Sequence, residues 1–559
     1  MNELAKYCQF DLDPNRFSQK DLLYQNDNVS IERVLDSQAN KTFIIHTLPL
    51  IGFEVSALSD FAKALLKNPD NKYLLPFYGL VSTSTHIKIV YDDLGVSIVD
   101  PNKLSSDKKM EMLKTISKAV AYLHSKNISH LRIKVSSIFC TPDKDSFFLG
   151  CITPVSIIDL ENEDRRLPFY QQPLNSRDSY MFGLLIFELL LDEIKTQKDL
   201  LKQFWRFEEF PSDKPIFELA KKCLLHDFKK RPSFNEILTF FGEEQIDIDN
   251  SCDSNQILIE VSHQINNVFF LLIRGITYSS QNDYQNAIQV YKSDLLRDIP
   301  HAINNIAVLI SKDKSDESLS KAADLFHQAS DLGFATSQRN YSYALRNGIG
   351  VLKNHTEQIN YLLKSAKQGF IDSLFGLYTC LFEDSDPKCV KYLRRAAYKT
   401  YPPAIHMYGL LIEQGIGYPG DISINFFWVG AQNHYAYCLN NYATRINDIQ
   451  LSNQYWKEAA EIGSKHAQYN YAVSLLLGRG GVEINKEAAA ALMKKSADQI
   501  YAPSMFDYAL MLREGIGVPK NEEAAEELCI KAGKVRILSE VTAQETKKRY
   551  QDIRDKLNR

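Results

Sequence analysis

The sequence predicts a multidomain protein in which an α+β region is followed by an all-α solenoid of helical repeats. Up to about residue 160, short β-like runs such as TFIIHTLPL and HIKIVYDDL are separated by a helical stretch, a pattern typical of a mixed α+β lobe. Helical patterns follow at 107–125, 175–194 and 214–225. Beyond a polar, acidic stretch at 242–258 with the composition of a linker, the chain is almost entirely helical and self-similar. We therefore expect a small sheet lobe beside a helical lobe, and then the solenoid.

Composition and charge narrow the classes of function. The 559 residues are 45% hydrophobic and 24% charged, which allows several cores and argues against disorder. The net charge is −4, without a basic stripe or an acidic tail, which argues against nucleic acid and membrane surfaces as partners. The apolar run at 183–191 is too short to span a bilayer and contains Glu188, so we expect a soluble, cytoplasmic protein. The nine cysteines lack the spacing of a zinc site, which predicts reduced packing thiols and no bound metal.

One turn motif recurs four times in the C-terminal half. The strings YSYALRNGIGV, YGLLIEQGIGY, YAVSLLLGRGGV and YALMLREGIGV each place a tyrosine seven residues before a glycine. Glycine supplies the positive φ of a turn between helices, and we interpret the tyrosines as inter-helix packing. A small residue ends the second helix of each unit, at intervals typical of helix pairs of about 34 residues. The turn glycines are Gly348, Gly350, Gly415, Gly417, Gly478, Gly480, Gly515 and Gly517; the tyrosines are Tyr341, Tyr408, Tyr471 and Tyr508; the small residues are Ser330, Ala366, Ala397, Ala431, Ala460, Ala497 and Ala532.

This repeat pattern resembles the Sel-one-like repeats, which are relatives of the tetratricopeptide repeat, over residues 302–535. It departs from the family pattern in having tyrosine where leucine is usual. Two shorter units, near 371–401 and 436–465, lack the glycine turn. We expect an irregular helix pair or cap at 269–301 and a C-terminal helical tail at 536–559 that caps the solenoid. The resemblance implies a surface that binds partner proteins through contacts spread over several repeats.

Residues 21–242 carry a second resemblance, to the protein kinases. The run KKMEMLKTISKAVAYLHSKNISHLRIKVSSIFCTP resembles the helix and catalytic loop of a kinase. DSYMFGLLIFELL resembles the DxxSFG helix, and LAKKCLLHDFKKRPSFNEIL resembles the closing helices. The tyrosine-kinase-like branch is nearest, and the resemblance implies a bilobal kinase-like fold. Its structural anchors here are His130, Lys134, Asp178, Gly183 and Arg231.

The resemblance implies a role for each of these anchors. Asp178 would cap the backbone of the catalytic loop, and Arg231 would pair with a glutamate that the segment FYQQP lacks. We expect His130 to be a core histidine bonded to backbone. We expect Lys134 to form a surface ion pair rather than a substrate contact.

The residues at the catalytic positions of the resemblance are unsuited to phosphotransfer. Arg132 stands where the base Asp is needed and cannot accept a proton. Ser137 and Gly150 stand where an Asn and an Asp would hold magnesium. His46 stands where a lysine would contact the phosphates, and we expect it to be a partly exposed strand residue. The preceding segment, YQNDNVSIERVLDSQAN, contains no glycine to cradle phosphates.

The adenine pocket implied by the resemblance is expected to be filled. Ile44 and Phe139 add bulk where the purine would stack, and a close-packed interior leaves no such volume to a ligand. Glu54 and Asp60 are the candidates for the acidic partner of the missing lysine, and without it neither has its usual role. The sequence therefore predicts no catalytic residue, no bound cofactor and no metal.

Together these patterns favour a catalytically inactive pseudokinase scaffold or adaptor that binds signalling or quality-control proteins through both modules. One alternative is an atypical active kinase with relocated catalytic residues, which would need ATP with magnesium. Another makes the kinase-like part a folded cap and leaves all activity to the solenoid. The predicted organisation is an extension at 1–20, the kinase-like domain at 21–242, a linker at 243–268, the cap at 269–301, the repeats at 302–535 and the tail at 536–559.

Overall fold

The computed structural model describes residues 12–25, 29–50, 71–130, 133–150, 174–190, 214–225, 227–247 and 265–557. The chain divides into two compact units, 1–373 and 374–559. The first repeats therefore belong to the same unit as the α/β region. None of the helices in the described ranges combines the length and the apolar character that a bilayer crossing requires.

A five-stranded antiparallel sheet forms the N-terminal part of the first unit, in the order β1-β2-β3-β5-β4. Its central strand carries the run TFIIHTLPL, whose alternate side chains point to opposite faces. Phe43 and Ile45 pack into one apolar cluster, and Ile44 and Leu48 into another. A second, three-stranded sheet has the order β6-β7-β8. The strands are β1 (Phe17–Gln25), β2 (Ser30–Asp36), β3 (Lys41–Pro49), β4 (Phe77–Ser82), β5 (His86–Asp92), β6 (Ser97–Ile98), β7 (Ile138–Cys140) and β8 (Phe147–Leu149).

Helices follow at the positions that the sequence predicts. The Ser105 hydroxyl accepts the Lys108 amide at the start of the first helix, and a capping box of Ser233 and Glu236 begins the fourth. Their apolar faces meet in one core around Ile116 and Phe182. The predicted helical stretch near 55–66 lies outside the described residues. The helices are α1 (Ser106–Ser125), α2 (Leu174–Leu190), α3 (Pro215–Cys223) and α4 (Phe234–Phe240).

The start of the predicted linker is attached to the α/β region. The Glu243 carboxylate pairs with Lys114 and, at 2.9 Å, with Lys118 of α1. The Asn235 side chain donates to the Ile246 carbonyl at 3.0 Å. Residues 243–247 therefore extend the α/β region, whereas 248–264 lie outside the described residues.

The helices after residue 265 share one apolar cluster with the five-stranded sheet. They are α5 (Val268–Ser280), α6 (Tyr284–Tyr291) and α7 (Pro300–Ile310). Phe269 and Phe270 are wholly buried in the same apolar cluster as Ile44 of the sheet. The Phe269 amide also donates to the Ser82 hydroxyl at 3.2 Å. The helix pair expected as a cap at 269–301 thus shares its core with the sheet, and each would expose apolar surface without the other.

Antiparallel helix pairs continue along the rest of the chain. The helices are α8 (Asp316–Asp331), α9 (Ala335–Asn347), α10 (His355–Lys367), α11 (Ile371–Glu383), α12 (Lys388–Tyr398), α13 (Pro402–Glu413), α14 (Ser423–Gln432), α15 (Ala436–Ala443), α16 (Ile449–Ile462), α17 (Lys465–Leu477), α18 (Lys486–Asp498), α19 (Ala502–Glu514) and α20 (Glu522–Leu557). Tyr341 and Tyr408 are buried between helices, and the Tyr408 hydroxyl donates to Asp421 at 2.6 Å. The tyrosines of these two repeats therefore pack inside the solenoid.

The glycine turns have two physical causes. Seven of the eight predicted turn glycines have positive φ, such as 72° at Gly348 and 65° at Gly517. At Gly350 and Gly517 a Cβ would also overlap the backbone of the preceding repeat helix, at Leu319 and Lys486 respectively. The expectation of positive φ is wrong at Gly417, where the constraint is instead that a Cβ would lie 2.9 Å from the Ile412 side chain.

The C-terminal end of the chain differs from the prediction. Ala532 does not end a helix, because α20 runs without a break for 36 residues and continues into the expected helical tail. Between Ala532 and Leu557 the sequence contains no proline, and its only glycine is Gly533. A helix of this length spans about 54 Å.

Candidate functional site

His46 lies in the centre of the five-stranded sheet. It pairs with Ile31 of β2 and with Ile89 of β5, and it is wholly buried. The expectation of a partly exposed strand residue is therefore wrong, because His46 lies on the same face of β3 as Ile44 and Leu48, which are buried in one apolar cluster. A wholly buried imidazole does not reach a phosphate in solvent.

His130 and Asp178 form a buried polar cluster below the second sheet. The Asp178 carboxylate accepts the His130 backbone amide at 2.7 Å and lies 2.9 Å from His124 Nε2. The His130 ring reaches the Gly150 carbonyl at 2.9 Å through Nε2. This arrangement ties the loop after α1 to α2 and to the end of β8. The role of Asp178 is thus to hold backbone, and His130 serves the same purpose from the other side.

Ser137 and Gly150, the two positions of the expected metal ligands, lie side by side. The Gly150 amide donates to the Ser137 carbonyl at 2.9 Å, and Ser137 is wholly buried. Its hydroxyl makes no hydrogen bond within the described part of the chain. Both residues therefore contribute backbone contacts to the loop, and neither offers a carboxylate or an amide oxygen.

Gly150 is enclosed so tightly that it accepts no side chain without movement of its neighbours. A Cβ built at this position would lie 2.7 Å from Leu75 Cδ1 and 2.9 Å from Phe139 Cε2. Atoms of a packed interior do not approach this closely. An aspartate needs this Cβ and a carboxyl group beyond it, so the space of a metal-binding aspartate is already taken by two apolar side chains.

Phe139 also joins the adenine position to the apolar core. Phe139 and Ile44 are both wholly buried and belong to one cluster with Leu75 and Phe270. The bulk that the sequence adds at Ile44 and Phe139 is thus packed among apolar residues.

Arg231 is a buried cation that holds backbone. Its guanidinium donates to the Leu225 carbonyl at 2.6 Å and to the Ser176 carbonyl at 3.0 Å, and it lies over the Tyr180 ring. Burial lowers its pKa to about 10, which leaves it charged at neutral pH. Gly183 packs α2 on α3, since a Cβ there would lie 2.8 Å from Cys223 Cβ.

Several predicted positions cannot be compared with the structure. Arg132, Glu54, Asp60 and the segment FYQQP lie outside the described residues. Lys134 is half-buried and begins the short helical turn that ends at Ser137.

The cysteines of the described ranges are free thiols. Five are buried, namely Cys140, Cys223, Cys380, Cys389 and Cys438. Burial raises the pKa of Cys223 and of Cys389 to about 12, so both remain protonated at neutral pH. Within the same ranges, no group of three or more His, Cys, Asp or Glu side chains is placed to hold a metal ion.

Sequence reasoning missed two parts of this site. Leu75 was not singled out, although it closes the space beside Gly150, because the contact joins residues far apart in the chain. The burial of α5 against the sheet was also missed. The only local signal is the continuous apolar run VFFLLI at its start, which predicts burial without naming the surface that covers it.

Comparison with known proteins identifies the repeats. Residues 300–334, 335–370, 374–401, 429–464, 465–501 and 502–534 match the family model of the Sel1 repeat. A crystal structure of c5321, a protective antigen of uropathogenic Escherichia coli with an SLR fold, is 17% identical, with a TM-score of 0.42 over 68% of this chain and 91% of that one. A Sel1 repeat protein from Oxalobacter formigenes is 19% identical, with a TM-score of 0.40 over 53% of this chain and 92% of that one.

About a third of the chain is similar to part of two curated proteins. A protein kinase domain-containing protein of Schizosaccharomyces pombe is 28% identical over 200 residues, covering 33% of this chain and 30% of that protein. A probable serine/threonine-protein kinase of Dictyostelium discoideum is 26% identical over 197 residues, covering 31% and 47% respectively. The chain thus spans less than half the length of either relative. The chain combines a mixed α/β region and a solenoid of Sel1 repeats, and it has partial similarity to two kinase proteins.

Proposed function

We propose that residues 21–242 form a bilobal kinase-like domain of the tyrosine-kinase-like branch that no longer transfers phosphate. In this proposal the protein is a cytoplasmic pseudokinase scaffold or adaptor. It binds signalling or quality-control proteins through the kinase-like domain and the Sel1 repeats. The similarity to kinase proteins and the repeat match support the two halves of this proposal.

The enclosure of Gly150 is the observation that carries the loss of catalysis. A phosphotransfer site needs a carboxylate on magnesium next to the nucleotide. Here Leu75 and Phe139 occupy the space that the side chain of such a residue would need. Ser137 and His46, at two other catalytic positions, are wholly buried. The residues at four catalytic positions are thus all unsuited to phosphotransfer: Gly150, Ser137, His46 and, from the sequence, Arg132.

The repeats support a protein-binding role through their exposed turns. In the second unit, the segments that join the two helices of a repeat expose large apolar side chains: Tyr418 and Ile422 between α13 and α14, and Ile484 between α17 and α18. These two segments lie at the same place in their repeats and are separated by one further helix pair. Apolar groups at repeated intervals suit a partner that contacts several repeats at once.

An atypical active kinase with relocated catalytic residues is the competing function, and similarity to a probable serine/threonine-protein kinase of Dictyostelium favours it. It would require magnesium ligands from residues outside the described ranges. Incubation of the purified full-length protein with labelled ATP, magnesium or manganese and a generic protein substrate separates the two functions. We expect no transfer of labelled phosphate above a blank without protein, either to the substrate or to the protein itself. Phosphate transfer that co-purifies with the protein through several chromatographic steps would contradict the proposal.

A further inference from the structure

The last helix of the chain touches its own solenoid at two separate places. The beginning of α20 packs on α19, where Ala532 is wholly buried beside Met505. Residues 536–545, almost three turns of the same helix, are all exposed. The final turns are again in contact with the protein, and Ile553 is wholly buried. We call residues 546–557 the clasp and residues 536–545 the bridge.

The clasp binds the C-terminal ends of two first helices of repeats. The Tyr550 ring lies 5.5 Å from the Phe382 ring of α11. The Lys556 ammonium donates to the Ser385 carbonyl, just after α11, at 2.8 Å. The Arg554 guanidinium donates to the Gln414 carbonyl, which is the C-cap of α13. The clasp therefore contacts a surface about 140 to 170 residues earlier in the sequence, through one aromatic, one aliphatic and two cationic side chains.

The chemistry of this surface selects for a particular kind of helix. The end of a helix presents carbonyls without intrahelical partners and the negative end of the helix dipole, both of which favour cations. Two such ends lie here beside the aromatic rings of Tyr378 and Phe382, which stack on each other at 5.5 Å. Tyr550 is half-buried, and this burial raises the pKa of its hydroxyl. A helix that offers Tyr, then Ile three residues later, then Arg and Lys, satisfies both the apolar and the cationic parts.

We propose that this surface of α11 and α13 is a docking site for a basic amphipathic helix of a partner protein, and that the clasp occupies it in cis as a pseudo-ligand. The partner helix presents the same pattern as the clasp, an aromatic and an aliphatic residue followed by two cations. This inference rests on the protein-binding role proposed for the repeats and is independent of whether the kinase-like domain transfers phosphate.

The exposed bridge makes the clasp displaceable. Because residues 536–545 are all exposed, opening breaks mainly the contacts of the clasp, as in a local opening of a terminal segment. A tethered segment has an effective concentration of the order of 1 mM. A free peptide at about 10 μM thus occupies only about one site in a hundred when its contacts equal those of the clasp. A partner gains access by binding more tightly, or when the clasp is released.

The test uses the full-length chain and a fluorescent peptide of residues 543–557 as the probe. The clasp is released by the double substitution Tyr550→Ala and Ile553→Asp, and binding is followed by fluorescence anisotropy. We expect the released variant to bind the peptide at least tenfold more tightly than the wild type. A peptide with Ile553→Asp and Arg554→Glu is the matched control and is expected not to bind. Phe382→Ala in the released variant should weaken binding by tenfold or more.

Equal binding of the peptide to wild-type and released chains would overturn the proposal, as would no binding to either. Hydrogen exchange provides a readout that does not depend on the variants. The clasp amides of the wild type should exchange more slowly than those of the released variant. If the wild type formed a dimer in which the clasp of one copy docks on the other copy, the clasp would not occupy the surface of its own chain, and the proposal would be contradicted. Loss of clasp protection together with peptide binding supports the proposal even if phosphotransfer is later detected.

Discussion

Gly150→Asp is expected to destabilise the protein by about 4 kcal/mol or more, because it adds both volume and charge to a closed space. The new Cβ would lie within 3 Å of the Leu75 and Phe139 side chains, so the core must move before any carboxylate is accommodated. The substitution restores the residue type of an active kinase at this position, yet we expect no gain of nucleotide binding. Urea unfolding followed by circular dichroism measures the change in the free energy of unfolding.

Gly533→Asp is the matched control for the same change of residue type. Gly533 lies in α20, has an ordinary φ, and has no atom within 4 Å of a built Cβ. Its replacement should alter the free energy of unfolding by less than about 1 kcal/mol. Similar losses in the two variants would show that the space around Gly150 is not closed. A Gly150→Asp variant that has wild-type stability and binds ATP would contradict the proposal that apolar side chains fill the nucleotide position.

Gly517→Ala is expected to destabilise the last glycine turn by about 3 kcal/mol. Its φ of 65° costs an alanine about 1 kcal/mol. The added methyl group would also overlap the Lys486 carbonyl at the start of α18, and overpacking against backbone costs a further 1–3 kcal/mol or so. Thermal and urea unfolding of the full-length variant measure the loss.

Gly515→Ala in the same turn is the matched control, because it carries the cost of positive φ without the overlap with backbone. Gly515 has a φ of 72°, but a Cβ there would find its nearest neighbours at 3.7 Å, which is ordinary contact. We expect a loss of only about 1 kcal/mol for this variant. If both alanines cost the same, the close approach of Lys486 to the turn is not a constraint on the sequence.

The repeats could be predicted in detail because their signals are local. Three features recur within one unit: a glycine at positive φ, a tyrosine seven residues before it in the helix that precedes it, and a small residue in the next helix. Each has a direct steric reason. Gly417 is the exception, because its constraint comes from packing on Ile412 and the sequence alone does not separate the two causes. The unbroken α20 was missed because the repeat period suggested an end near Ala532.

The site could be predicted only in part, because its decisive contacts join distant segments. The loss of a metal ligand at Gly150 follows from the residue type. The enclosure of Gly150 by Leu75 and Phe139 depends on an isolated pair of β-type backbone contacts that sets Leu74 beside Leu149. The burial of His46 depends on the apolar cluster that covers its face of the sheet. The docking of Tyr550 and Arg554 on a surface far earlier in the chain leaves no mark in the local pattern, since amphipathic terminal helices also occur without such a contact.

Nucleotide binding tests the central claim most directly. The melting temperature of the purified full-length protein is measured in a titration with ATP, with and without magnesium or manganese. A ligand at a hundredfold excess over its dissociation constant stabilises a protein by about 2.7 kcal/mol, so genuine binding is easily detected. If apolar side chains fill the nucleotide position, millimolar ATP with either metal leaves the melting temperature unchanged. A saturable, metal-dependent rise in melting temperature would contradict it and would favour the atypical active kinase.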